Sequence, residues 1–179
     1  PLRSVNRRVC VALIGDAATA TATIERQWLF KPYFEKVNAW EPLIGFRTKG
    51  VVQPSTKLCK VLRTSAAAAG ADFCWGLFLD GGVWGSGLPG NPSYFDEEFA
   101  CEFAPALVAD KVGLLASGDF SDIFIEKLEA VNATSGIRLI GSGTRAQVNA
   151  HLRGCVIDQC SGTAVDIQSL AAGACVTIE

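Results

Sequence analysis

The chain has 179 residues, of which 49% are hydrophobic and 19% charged, with a formal net charge of −2. That is enough apolar material for a full core, and it rules out a disordered tail or a short hormone-like peptide. So small a charged fraction is less than a free monomer's surface usually carries, which points to a molecule that buries part of its outside against partners.

The chain opens at Pro1 and holds no Met, so its start is expected to be trimmed, by initiator removal or by cleavage from a longer precursor; no targeting peptide is visible. Arg3, Arg7 and Arg8 form a basic arm over residues 1–8, suited to neutralising phosphates without reading sequence. Strands are predicted at Val9–Ile14, Thr21–Phe30 and Leu43–Val52. Around them Trp28, Phe30, Tyr33, Phe34 and Trp40 interleave with Arg26, Lys31 and Lys36. Rings beside cations suit base stacking on a nucleic acid, and filling a sandwich core accounts for most of the same rings. Lys57 to Gly70 reads as a helix, because Leu58, Val61, Leu62 and Ser65 share one helical face. Pro54-Ser55-Thr56 offers capping there, and Gly70 a stop.

The next strand, Asp72–Leu79, ends at Asp80-Gly81-Gly82, and Gly81–Ser93 is a Gly- and Pro-rich contact loop with Trp84 and Tyr94 as interface candidates. Gly85 to Gly90 matches a phosphate-loop pattern by letter, but Pro89 and Pro92 obstruct the helix that chemistry needs. Asp96, Glu97 and Glu98 point alternately in a strand, so they read as a solvated or intersubunit acidic loop rather than a cation site. Strand Glu98–Phe103 is followed by a second short helix, Pro105–Gly113, led by its proline. Further strands are predicted at Asp122–Val131, Ile137–Ile140, Ala164–Ile167 and Ala174–Ile178. Alternation from Arg145 to Ile157 reads as one long antiparallel strand, joined to Ile137–Ile140 by a hairpin turn at Gly141–Thr144.

Charge is distributed unevenly: residues 1–63 carry net +7 and residues 64–135 net −9, with the remainder balanced. One face could meet an anion such as nucleic acid while another repels it, or the two signs could pair within the domain. Seven scattered cysteines without a Cys-x-x-Cys pair, and a single histidine, exclude zinc-type spacing; the thiols read as small buried hydrophobes in a reducing compartment. His151 lies mid-strand with no nucleophile elbow in the chain, so it reads as a surface group, and no catalytic residue, cofactor or metal is expected. No run is long enough to span a membrane.

Many short strands with Gly, Pro or Asn between them, no internal repeat and no linker predict one all-β domain over 1–179, an antiparallel β-sandwich with one or two short inserted helices. Lys57-Leu58-Cys59-Lys60-Val61-Leu62-Arg63-Thr64-Ser65-Ala66 leading through Gly70 to the strand Asp72–Leu79 resembles the small coat proteins of plant picorna-like viruses of the comovirus and fabavirus kind. The segment Ile137–Ile157, followed by Gln159-Cys160-Ser161-Gly162, is similar to the closing strands of their jelly roll. That resemblance implies a jelly-roll capsid subunit that self-associates, and joins a second, large coat protein, in an icosahedral shell around genomic RNA bound without sequence specificity. It also implies location in the virion and the host cytoplasm. The other reading is a soluble carbohydrate- or ligand-binding module that uses Trp84 and Tyr94.

Overall fold

Strands in which every second residue is apolar have one face to bury, and a chain can bury such faces by winding round a common interior. The computed structural model describes residues 2–3, 9–14, 29–30, 33–49, 51–52, 55–64, 73–82, 94–96, 98–118, 122–141, 149–170 and 174–179. The first turn holds β1 (Leu2–Arg3), β2 (Val9–Ile14), β3 (Leu29–Phe30) and β4 (Tyr33–Glu35); the second holds β5 (Asn38–Trp40), β6 (Ile44–Lys49), β7 (Val51–Val52) and β8 (Ser55–Lys57). The third and fourth are β9 (Cys59–Arg63), β10 (Phe73–Gly82) and β11 (Tyr94–Asp96), then β12 (Phe99–Phe103), β13 (Asp110–Gly118) and β14 (Asp122–Glu126). The fifth is β15 (Leu128–Val131), β16 (Ser135–Gly141) and β17 (Asn149–Arg153), and the sixth β18 (Val156–Asp158), β19 (Val165–Gln168) and β20 (Cys175–Ile178).

Each turn lays one strand into each of three six-stranded sheets: sheet A (β1-β5-β9-β12-β15-β18), sheet B (β2-β6-β10-β13-β16-β19) and sheet C (β4-β8-β11-β14-β17-β20), with β3 and β7 forming a short ribbon. Every pairing among the described residues is parallel and joins one turn to the next. This is a parallel β-solenoid.

The all-β expectation holds, and the antiparallel jelly-roll sandwich does not. Alternation reports that one face is buried and is blind to the direction of the neighbouring strand. β16 pairs with β13 and β19, whereas β17 pairs with β14 and β20, so the expected hairpin lies in two different sheets; residues 142–148 of its turn lie outside the described residues. The long strand is two strands, β17 and β18, bent apart at Gly154, whose φ is +59°. Neither predicted helix is present among the described residues. Positions 57–63 are β8, a corner at Leu58 and β9, and residues 65–70 lie outside the described residues. Pro105 begins a tight turn, closed by Leu107 N–H donating to the Ala104 carbonyl at 3.1 Å, and β13 follows from Asp110.

The interior is built of columns. Val61, Cys101 and Ala130 stack in sheet A, and Leu77, Leu114 and Ile137 in sheet B, all at 0–1% exposure. Near the first turns, Phe34, Phe46 and Phe99 pack edge to face at 5.9 and 5.6 Å. Each fully buried Leu, Ile or Phe contributes about 1.5–3 kcal/mol. Sheet B also has a buried outer side: Ile44 and Val112 both lie in register with Trp75, and Leu115 with Phe78. All three aliphatic residues are buried, beside the Phe73–Trp75–Phe78 ring cluster. On the same outer side Arg138 bonds both oxygens of Asp110, at 2.6 and 3.0 Å, and Asp166 at 3.0 Å.

Gly45, Gly76, Gly113 and Gly136 form one further column in sheet B, directed at sheet A. A Cβ on Gly76 would stand 2.5 Å from the Gly113 carbonyl oxygen and 3.0 Å from Cys101 Cβ; one on Gly113 would stand 2.5 Å from the Gly136 oxygen. Only glycine fits there. Its recurrence, as Ile44-Gly45-Phe46, Trp75-Gly76-Leu77, Val112-Gly113-Leu114 and Ser135-Gly136-Ile137, is an internal repeat that the sequence reading did not find. Spacing conceals it. In sheet A the step from Ala39 to Val61 is 22 residues and that from Val61 to Cys101 is 40.

Candidate functional site

In β14 and β17 of sheet C the inward residues are aliphatic and the outward ones are not. Ile123 and Ile125 of β14 and Ala150 and Leu152 of β17 are 0–1% exposed. The residues between them line up across the turns as Tyr33, Ser55, Phe95, Phe124, His151 and Thr177. Tyr33 is 52% exposed, and His151 is exposed as well. The rings of Phe124 and His151 lie 4.8 Å apart and 3° from parallel, which is the strand spacing of a sheet. They stack like rungs along the solenoid axis.

Polar groups flank the stripe on both sides. On one side Asn149 Nδ2 donates to Asp122 Oδ1 at 3.1 Å. On the other, Arg153 stands 4.0 Å from both Glu126 and Glu179, in register across the last three turns. These three side chains are more than half exposed, so their ion pairs are screened and mobile enough to trade partners. Between them and the rings is a depression of about 200 Å³, lined by Phe124, Glu126, His151, Arg153, Thr177 and Glu179, together with Ile125 and Leu152. Such a surface offers apolar ring contact beside hydrogen-bond donors and acceptors.

The expected site residues are scattered. Arg3 is in β1 at the first turn of sheet A, while Arg7, Arg8, Trp84 and Glu97 lie outside the described residues. Tyr94 and Asp96 are in β11, in register with Ile123 and Ile125, rather than in a loop. Glu98 is exposed at the corner before β12, and its carbonyl accepts from Cys59 N–H at 3.2 Å. The aromatic–basic patch is divided: Tyr33 is on the outer face of sheet C, Phe34 packs on Phe46 inside, and Trp40 is on sheet A. Alternation put Asn149, His151 and Arg153 on one mostly polar strand face but missed Phe124, Glu126, Thr177 and Glu179. Their alignment depends on a register between turns that no local pattern announces.

No disulfide joins the six cysteines whose side chains are described. Cys59, Cys74 and Cys101 are buried, Cys155 and Cys160 half-buried, and Cys175 exposed, which departs from the expectation of burial throughout. Burial pushes the Cys74 thiol up to about 12, against the opposing pull of Arg63. Among the described residues no three His, Cys, Asp or Glu side chains gather as metal ligands, and no helix is long and apolar enough to cross a membrane.

Fold and face together define the class, a parallel β-solenoid carrying an aromatic stripe with polar flanks on one sheet. No family model matches the sequence, and neither a curated protein nor a solved structure matches it.

Proposed function

We propose that this chain is a binding module whose ligand is an extended polysaccharide lying along the outer face of sheet C. The observation that carries this is the in-register column from Tyr33 to Thr177, in which four of the six residues, Tyr33, Phe95, Phe124 and His151, are ring-bearing types and polar groups flank the last turns. Its rungs repeat at about 4.8 Å, close to the length of one sugar unit, so successive units of a chain can meet successive turns. A pyranose has an apolar face for ring contact and hydroxyls at its edge for Asp122, Asn149, Arg153 and the glutamates.

The coat-subunit reading took its geometric support from a jelly roll. What supports it now is the low charged fraction, which the solenoid also accounts for through its long aliphatic columns.

Native gels cast with soluble polysaccharides test the binding reading. A panel of xylan, mixed-linkage glucan, galactomannan and polygalacturonate is expected to include at least one polymer that retards the chain. The double variant Phe124→Ala/His151→Ala should fold and migrate freely in that polymer. Equal migration of the parent chain in every polymer would remove the proposal.

A further inference from the structure

The aromatic ladder of sheet C stops one turn short. Phe124 stacks on one face of His151 at 4.8 Å, and the next rung, in register with the opposite face, is Thr177, which has no ring. The depression of about 200 Å³ runs beside the stacked rings from Phe124 to Thr177 and so reaches this place, and Glu126, Arg153 and Glu179 form its rim. It is smaller than the pockets that take drug-sized ligands, which start at about 300 Å³. One ring is what fits.

We infer that this is a seat for a single neutral pyranose unit of a bound glycan, whose ring stacks on His151 in place of the missing rung. The inference rests on the polysaccharide reading above and names the class of sugar. Two carboxylates and one guanidinium at the rim leave an excess of negative charge, so a uronate carboxylate entering the seat is repelled. A neutral sugar meets no such penalty. Its vicinal hydroxyls can donate to Glu126 and Glu179 and accept from Arg153, whose 4.0 Å ion pairs are loose enough to open.

His151 is the sole histidine of the chain, so an imidazole isotope-labelled at Cε1 alone gives one NMR signal, located at the seat. Methyl glucoside and methyl galactoside should move that signal saturably, and the matching methyl uronides should bind about five-fold more weakly or worse. Glu126→Gln/Glu179→Gln should erase the difference between the two sets. Thr177→Phe, which supplies the absent rung, should abolish the titration while the signal still reports a folded, ring-stacked histidine. If gels show a polysaccharide bound but no sugar moves the His151 signal, the seat is wrong and the surface reading stands. If neither gels nor NMR show binding, both fail. Uronides that bind as well as the neutral sugars overturn the charge argument.

Discussion

Between sheets A and B the solenoid has no spare volume, whereas over the outer face of sheet C it leaves a depression open to solvent. The first region is set by close contact: Gly45, Gly76 and Gly113 each face the carbonyl of the next glycine in the column, Gly136 faces the Ile157 side chain, and there is no room for a methyl group. The second is set by side chains alone, standing on strands whose inward residues already do the packing. The same winding therefore yields a wall that tolerates no substitution and a face that tolerates many. Outward side chains can change on sheet C without disturbing what holds the turns together.

The contrast is broken most severely at Gly113. Gly113→Ala places a methyl against the Gly136 oxygen and the Ala130 side chain, and should cost about 3 kcal/mol or more, read as a lower urea midpoint or a loss of soluble chain. Next comes a comparison of two arginines. Arg138→Ala strips two part-buried carboxylates of their partner and should cost about 2 kcal/mol, while Arg153→Ala, on the open face, should cost under about 0.5 kcal/mol in the same denaturation experiment.

A titration sharpens the inside–outside difference further. The folded chain holds the Cys74 proton up to about 12, whereas the unfolded chain releases it above its ordinary value of 9.0. A folded value raised above the unfolded one gives stability that is complete below pH 9 and is lost as pH climbs towards 12. Between pH 8 and 10.5 the parent chain should lose about 2 kcal/mol more than Cys74→Ala does, measured by urea unfolding at each pH.

Much of the strand content was legible. Val9–Ile14 lies where alternation placed it, and Glu98–Phe103 differs from β12 by one residue, because burying one face forces a period of two whatever the fold. The direction of pairing was not legible, since no local pattern encodes which strand lies alongside. The corners misled in a particular way. Lys36, Leu58 and Lys127 turn the chain from sheet C to sheet A with φ of +53 to +63°, a conformation whose usual signals are Gly and Asn. At Leu58 the corner set apolar residues at helical spacing, and a helix was expected where two strands meet. Of the candidate site, Asn149, His151 and Arg153 were visible as polar-face residues of one strand. Its neighbours are a turn away in the solenoid and some 25 residues away in sequence, as the pairs Phe124 with His151 and His151 with Thr177 show.

The unequal steps between stacked residues mean that this molecule separates chain length from position. An extra stretch inserted at a corner lengthens the path but leaves the following strand in the same register. The turn at Pro105–Val108, where Val108 is 92% exposed, is such a corner. A foreign peptide grafted there would ride outside a scaffold that takes no part in accommodating it. In that sense the fold is a rail along which new appendages can be mounted one turn at a time.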